Sequence, residues 1–269
     1  MRGSMPGEFV MAGTSLAKAF AISAAAAFSV LPALNGAQAA ELKVLSSTAL
    51  KAAMEELGPQ FERTTEYTLA ITFGPSASLK QQIEAGETFD LALITPASID
   101  DLIKQGRIEA SSRSNIGRTG IGVAIRAGAP KPDISTVAAF KRALLDAKSI
   151  TYGDPARGGL SSVYFVGLLE RLGIADQIKA KAKLGTASEG VRPVATGEAE
   201  LGIGQASEIP LVPGVELLGP FPAEVQSYTN VTAGIGTHAK EANGARALIK
   251  FLTSPAAFPV YKAKGFEPG

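Results

Sequence analysis

The chain has 269 residues, with 26 Lys and Arg against 25 Asp and Glu, so its formal net charge is only +1. This balance provides no basic face of the kind that nucleic acids require, and we expect no nucleic-acid partner. The sequence contains no cysteine and a single histidine, His238. Disulfides, thiolate metal sites and zinc sites built from several histidines are therefore excluded.

The first residues have the pattern of an export signal. Lys18 precedes the apolar run "AFAISAAAAFSVLPAL", and Ala37 to Ala39 form an A-x-A cleavage site. The apolar run has about sixteen residues, fewer than the roughly 20 that span a bilayer, so cleavage is favoured over a permanent anchor. The opening "MRGSMPGEFV" does not fit a leader and resembles a vector-derived scar. We expect residues 1–39 to be absent from a mature, periplasmic protein.

Short apolar strands alternate with helical patterns after the leader. The segments "ELKVLSS", "TLAITFG" and "FDLALI" have the length and apolar content of buried strands. A capping box, Ser78 with Gln81, predicts a helix that begins at Ser78, and Ser98 with Asp101 predicts the beginning of another. The helix after the first strand is indicated by apolar residues spaced three and four apart: Leu50, Ala53, Met54, Leu57 and Phe61.

The rest of the chain repeats this alternation. The strands "GIGVAIRAG", "SITYGDP", "LGIGQ" and "NVTAGIGTH" are separated by helical patterns, among them a helix from Ser161 to Leu172 that ends before Gly173. This β-α-β-α order is typical of an α/β fold with a mostly parallel sheet covered by helices on both faces.

The sequence motifs do not indicate an enzyme. The chain lacks a P-loop, a G-x-G-x-x-G after a strand and a G-x-S-x-G nucleophile motif. A serine hydrolase would need His238 as its base, but this histidine ends an apolar strand, where a surface or packed imidazole is the commoner interpretation. Asp100 and Asp101 are adjacent on a helix, point in different directions, and fit a solvated helix start. We predict no catalytic residue, no metal and no cofactor.

Hydroxyl side chains recur where a predicted strand turns into a helix. In open α/β sheets such turns share one edge, where ligands bind. A helix start also carries free N–H donors and partial positive charge, which suit an anion. Each hydroxyl alone is typical of a helix cap, but four clusters together predict a shared anion site: Ser46, Ser47 and Thr48; Ser76 and Ser78; Ser161 and Ser162; Thr186 and Ser188.

Several segments resemble the molybdate-binding periplasmic proteins of ABC importers. They include "LKVLSSTALKAAMEELGPQFE", "SLKQQIEAGETFDLAL", "TYGDP", "GVRPVATGEAELGI" and "FLTSPAAFPVYKAKGF", and the similarity runs from about residue 41 to 267. The resemblance implies a two-lobed periplasmic binding protein fold, each lobe a mostly parallel sheet flanked by helices, with two hinge crossings. Residues 40–120 with 229–269 would form lobe I, and 121–228 lobe II.

The resemblance also implies ligand positions in the cleft. A family serine corresponds to Ser76, a valine that donates its backbone N–H corresponds to Val191, and a small residue after the "GDP" loop falls at Ser161, next to Ser162. Two positions depart from the family pattern. Ala49 replaces a serine, with Ser47 and Thr48 beside it, and Gln205 replaces a tyrosine.

These departures predict that molybdate is not the best ligand. Gln205 can both donate and accept, so the site should favour an organic acid or a protonated oxyanion. Arg157, in the "GDPARGG" loop, either binds a carboxylate or remains a solvated cation.

The leading hypothesis is an exported, monomeric receptor that closes on a small anion and delivers it to a membrane permease. One alternative is an enzyme, a hydrolase or isomerase, on the same scaffold, using a cleft serine or Arg157. Another is an anchored interaction protein with an uncleaved leader.

Overall fold

The structure, a computed structural model, describes residues 39–157, 159–185 and 190–269. The predicted leader, apart from residue 39, lies outside the described residues, and so do Thr186 and Ser188. Residues 39–269 form one compact unit.

Strands and helices alternate in the first part of the described chain, as the periodicity predicts. The apolar face of the first helix is buried as expected, because Ala53, Met54, Leu57 and Phe61 pack inside. The elements are β1 (Ala40–Ser47), a 3-10 turn (Thr48–Leu50), α1 (Lys51–Thr64), β2 (Tyr67–Gly74), α2 (Ser76–Glu84), β3 (Leu91–Ile94) and α3 (Pro96–Lys104).

The second part begins with the longest strand and continues the alternation. Its elements are β4 (Ser114–Arg126), α4 (Val137–Asp146), β5 (Ile150–Gly153), α5 (Leu160–Arg171), α6 (Ala175–Lys179), β6 (Ala182–Gly185), α7 (Arg192–Ala195), β7 (Leu201–Gln205), β8 (Val215–Pro220), β9 (Tyr228–Ile235), α8 (Ala242–Leu252), α9 (Phe258–Ala263) and β10 (Glu267–Pro268).

Two helices begin earlier than their serines predict. Helix α2 begins at Ser76, its N-cap is Pro75, and no side chain caps it, so the capping-box interpretation of Ser78 is wrong. Helix α3 begins at Pro96 rather than Ser98. Proline at or beside the first helical position explains both starts, since it fixes a helix-compatible φ where no N–H is needed.

The sheet is mixed. Its strand order is β2-β1-β3-β9-β4-β7-β5-β6, and β8 and β10 also pair with β4. The expected parallel pairing holds for β2-β1-β3 and for β6-β5-β7. Strands β4, β8, β9 and β10 pair antiparallel.

Strand β4 changes partners along its length. Ser114 to Gly120 pair with β9, whereas Ile121 to Arg126 pair with β7 and β8. We call β1–β3, β9, β10 and residues 114–120 the first strand group, and β5–β8 with residues 121–126 the second strand group. The change coincides with the predicted lobe boundary at residue 120, although the ranges 40–120 with 229–269 and 121–228 stay a prediction.

Each strand group has its own large apolar cluster, and two smaller clusters complete the core. Leu42, Met54 and Tyr261 belong to the first core, and Val123, Phe140 and Phe165 belong to the second. Separate cores are what two lobes require in order to move as units. Among the described residues, no helix is both long and apolar enough to cross a bilayer.

Candidate functional site

The hydroxyls of the first strand group lie where β1 ends. Ser47 is the last residue of β1 and pairs with Gly74 at the end of β2, so both strands finish at the same edge. The Ser47 hydroxyl caps the 3-10 turn by accepting from the N–H of Ala49, with 3.3 Å between the atoms. Ala49 itself is buried and brings no polar side-chain atom to the site. The cap leaves the Ser47 hydroxyl proton free to donate.

Ser76 has a structural partner. Its hydroxyl accepts from the backbone N–H of Thr95 at 3.2 Å, which joins the start of α2 to the end of β3. The side chain is half-buried, and Ser76 does not line the cavity described next. Its predicted ligand role stays a prediction.

The second strand group contains a narrow cavity that opens to solvent. It brings together four residues that the sequence placed in the site, Ser161, Ser162, Val191 and Gln205. The two serines lie in the first turn of α5, and Ser162 is buried. The remaining lining residues are Gly153, Gly190, Ile203, Gly204, Glu208, Ile209 and Val212.

Backbone atoms form one wall of this cavity. A Cβ atom on Gly190 would lie 2.8 Å from the backbone nitrogen of Gly153, closer than carbon and nitrogen can approach. The Thr151 hydroxyl donates to the Gly190 carbonyl at 2.7 Å and fixes this contact. Glycine is therefore required at position 190 for the loop before Val191 to reach the end of β5.

Glu208 is a lining residue that the sequence analysis missed. The Thr48 hydroxyl donates to its Oε1 over 3.0 Å, so the first strand group contacts the cavity through this bond. Glu208 is partly buried. Desolvation by the surrounding protein raises the pKa of its carboxyl group, and the hydrogen bond from Thr48 opposes this with a smaller effect. Burial thus makes this carboxyl group, next to the predicted anion site, harder to ionise than one in water.

The side-chain amide of Gln205 makes one hydrogen bond within the protein. Its Nε2 donates to the Thr229 hydroxyl at the start of β9, with 2.7 Å between them. Its Oε1 is buried and has no hydrogen-bond partner among the described residues. One of the two N–H groups of the amide is thus bonded within the protein.

The other residues considered in the sequence analysis do not line this cavity or lie outside the described part of the structure. The backbone of Arg157 ends a 3-10 turn after β5, but its side chain is outside the described part of the structure. His238 is exposed and lines a separate depression of about 300 Å³ with residues such as Thr88 and Arg107. Asp100 pairs with Arg113 at 2.7 Å. No group of three or more potential metal ligands exists within residues 39–157, 159–185 and 190–269.

Two cores, a shared mixed sheet and a hydroxyl-lined cavity at the strand ends define an α/β protein of the periplasmic binding protein class. The chain belongs to the family of bacterial extracellular solute-binding proteins, whose model matches residues 42–267. The resemblance to molybdate-binding periplasmic proteins is confirmed by both the curated relatives and the solved structures.

Three similar proteins indicate the range of this family. An aconitate isomerase of Pseudomonas sp is 32% identical over 88% of this chain and 91% of its own length. The molybdate-binding protein ModA of Azotobacter vinelandii is 28% identical over 86% of this chain and 91% of its own length. The solved periplasmic molybdate-binding protein of Azotobacter vinelandii has a TM-score of 0.65 and 22% identity, covering 85% of this chain and 99% of that one.

Proposed function

We propose that the protein is an exported solute receptor that binds a small organic acid at the cavity beside β7. The observation that carries this proposal is the carboxyl group of Glu208 in the cavity wall. In its neutral form, which burial favours, it offers an O–H donor to a ligand carboxylate. The same group can accept a hydrogen bond when the ligand brings the proton.

The donors for the ligand's carboxylate are neutral. Ser161 and Ser162 line the cavity from the first turn of α5. Because an anion removed from water must meet donors, hydroxyls at this position offset its desolvation without a cation. Arg157 follows β5 in sequence, and its guanidinium suits a second carboxylate.

A fully ionised oxyanion fits this wall less well. Such a ligand has only acceptors, whereas an organic acid that carries an alcohol hydroxyl also has a donor, so a buried acceptor of the protein that faces the oxyanion is left unpaired. Glu208 and Gln205 both line the cavity, and Ala49 brings no polar side-chain atom. The similarity to a protein named aconitate isomerase also supports an organic acid over molybdate.

A thermal-shift panel tests the ligand class. Molybdate, tungstate, sulfate and phosphate would be compared with succinate, malate, citrate and trans-aconitate at neutral pH. A ligand at about a hundredfold excess over its Kd adds roughly 2.7 kcal/mol, which raises the Tm of a protein of this size by about 5 to 10 °C. We expect the largest rise from an organic acid. A larger rise from molybdate or tungstate at micromolar concentration would contradict the proposal.

Export and delivery complete the proposed function. The leader pattern of residues 1–39 and the extracellular solute-binding family support an exported, monomeric receptor that works with a membrane permease. Mature protein from the periplasm should begin at Ala40 by intact mass. Recovery of the full-length chain in membranes alone would instead favour the anchored interaction protein.

An isomerase is the second candidate, favoured by Glu208 together with the similarity to an aconitate isomerase. A carboxyl group whose pKa is raised by burial holds its proton more tightly than an exposed one, and a positioned carboxyl group can serve as a general acid or base. Removing a proton from the methylene carbon of an unsaturated tricarboxylate and adding one at the far alkene carbon shifts the double bond. Atoms and electrons balance in this step without a co-reactant.

Proton NMR separates the receptor from the isomerase. A receptor returns trans-aconitate unchanged, whereas an isomerase produces the cis isomer and, in D₂O, exchanges the methylene protons. Glu208→Gln should abolish such turnover while leaving the fold intact. No product at stoichiometric protein over hours excludes this isomerase activity.

A further inference from the structure

We propose that the cavity beside β7 binds its anion together with one proton, which Glu208 holds against an acceptor oxygen of the ligand. The proton comes from solvent, so binding of a fully ionised anion consumes up to one proton for each ligand bound. This inference rests on the proposed function, because it concerns the same cavity and the same carboxyl group.

The cavity wall contains a single ionisable group. Among the described lining residues, Glu208 alone has an ionisable side chain, and the other polar side chains are those of Ser161, Ser162 and Gln205, which are neutral. Within the part of the chain that the structure describes, the carboxyl group is affected by burial and by the hydrogen bond from Thr48, and by no neighbouring charge. An anion that enters while Glu208 is ionised therefore meets a like charge.

Charged residues on the neighbouring elements do not line the cavity. They are Lys51 after the 3-10 turn, Asp154 after β5 and Arg192 in α7. The side chain of Arg157, in the turn after β5, lies outside the described part of the structure. The described neighbours thus leave the charge of Glu208 to be neutralised by a proton.

The two carboxyl oxygens of Glu208 have different surroundings. Oε1 accepts from the Thr48 hydroxyl at 3.0 Å. Oε2 has no hydrogen-bond partner among the described residues, and it is not one of the buried atoms that lack a partner, so it is accessible. A proton on Oε2 turns this oxygen from an acceptor into a donor. The bond from Thr48 to Oε1 is unaffected.

A carboxylate of the ligand makes Glu208 still harder to ionise. Burial already raises the pKa of this group, and a second carboxylate in the same cavity adds repulsion between like charges. Two carboxyl groups that share a site retain one proton between them, which one donates and the other accepts. Succinate and trans-aconitate are ionised at neutral pH and then have only acceptor oxygens. The shared proton must therefore come from solvent.

Affinity should then fall as pH rises. In the range where Glu208 is ionised in the free protein and protonated in the complex, one proton enters with each ligand, and the Kd rises by up to about tenfold per pH unit. Below the pKa of Glu208 in the free protein, the proton is already present. Above its pKa in the complex, no proton is taken up, so the Kd levels off at both ends.

Isothermal titration of succinate and of trans-aconitate from about pH 6 to 8, where both acids are ionised, tests this coupling. Each titration is run in two buffers with different enthalpies of ionisation, since the difference in heat gives the number of protons taken up. Glu208→Gln keeps an oxygen for Thr48 and offers the ligand an N–H that does not titrate. His238→Gln is the control, because the single histidine titrates in this pH range and lines the separate depression.

We expect the wild-type protein and His238→Gln to take up a fraction of a proton that approaches one, and to bind more weakly as pH rises. Glu208→Gln should take up no proton, keep a constant Kd, and bind at least as tightly as wild type at the highest pH. Clear binding by the wild-type protein with a constant Kd and no proton uptake would overturn the inference. Proton uptake that persists in Glu208→Gln would overturn it as well.

A second variant covers the case in which Glu208→Gln binds no acid. Thr48→Val removes the hydrogen bond that lowers the pKa of Glu208, so the fall in affinity should shift to higher pH. An unchanged pH profile in Thr48→Val would overturn the role of Glu208.

Molybdate separates this inference from the proposed function. Failure of both acids to bind, with molybdate bound instead, would contradict the organic-acid receptor. Proton uptake measured with molybdate would then decide the inference alone: uptake that is lost in Glu208→Gln supports it, and no uptake overturns it. Failure of the acids and molybdate alike would overturn both.

Discussion

The hydroxyl of Thr48 donates to Oε1 of Glu208 across 3.0 Å, although the two residues are 160 positions apart in the chain. Thr48 follows β1 of the first strand group, and Glu208 follows β7 of the second. The bond therefore joins the two groups beside the cavity. It also places a carboxyl group where the hydroxyl clusters predict an anion.

Glu208→Gln should change the pH dependence of stability. Burial raises the pKa of Glu208 in the folded state, so the folded protein binds its proton more tightly than the unfolded chain does. Stability then falls as pH rises from the unfolded pKa towards the folded one, and the full penalty applies above both. Glutamine keeps an oxygen for Thr48 and does not titrate, so the variant should gain stability relative to wild type as pH rises.

Chemical denaturation at several pH values measures this difference. The gain of the variant should be smallest near pH 4 and largest at neutral pH. A constant difference at every pH would mean that the pKa of Glu208 is the same in the folded and unfolded states.

Ser76→Ala should lower the free energy of unfolding by about 1 kcal/mol, because the backbone N–H of Thr95 loses its acceptor. The control is Ser78→Ala, since Ser78 is exposed and its removal should change stability by less than about 0.5 kcal/mol. Urea denaturation measures both variants. Ligand titration of the same proteins tests the role inferred from the family resemblance, and unchanged affinity in Ser76→Ala would contradict it.

The order of strands and helices was predictable because apolar periodicity repeats along the chain. Phe61 and Met54 were expected inside, and both are buried. Ser161, Ser162, Val191 and Gln205 were expected in one site, and they line one cavity. Each of these residues lies at a strand end or helix start, where local sequence determines its position.

The missed features depend on contacts that are distant in sequence. Nothing in "QASEIP" indicates that Glu208 meets Thr48, because that contact requires both strand groups to be in place. The Ser76 hydroxyl also accepts from the backbone N–H of Thr95, 19 positions later, a contact that the local sequence does not indicate. The antiparallel part of the sheet was also missed, since strand direction depends on how the chain returns through β9.

The chain just before β9 is tied to β4 by Gln226, and this contact makes Gly120 sensitive to substitution. Gln226 accepts from the N–H of Ile121 at 2.8 Å and donates to its carbonyl at 3.0 Å. A Cβ atom on Gly120 would lie 2.7 Å from Gln226 Nε2. Gly120→Ala should therefore cost about 1 to 3 kcal/mol, as these hydrogen bonds are displaced.

A double-mutant cycle tests this coupling. In the Gln226→Ala background, Gly120→Ala should cost much less, because the side chain it displaces is already gone. If the stability loss of the double variant equalled the sum of the two single losses, Gly120 would be constrained by something other than Gln226.

Thr48→Val should loosen the arrangement of the two strand groups in the ligand-free protein. Valine has nearly the same shape as threonine but cannot donate to Glu208, so the arrangement in the structure loses one hydrogen bond between the strand groups. A loss of about 1 kcal/mol shifts a two-state equilibrium by roughly fivefold. Small-angle scattering should give a larger radius of gyration for Thr48→Val than for wild type, and saturating ligand should reduce it.

Thr48→Ser keeps the donor and should match wild type. Equal radii for the valine and serine variants, with and without ligand, would show that this bond does not control closure.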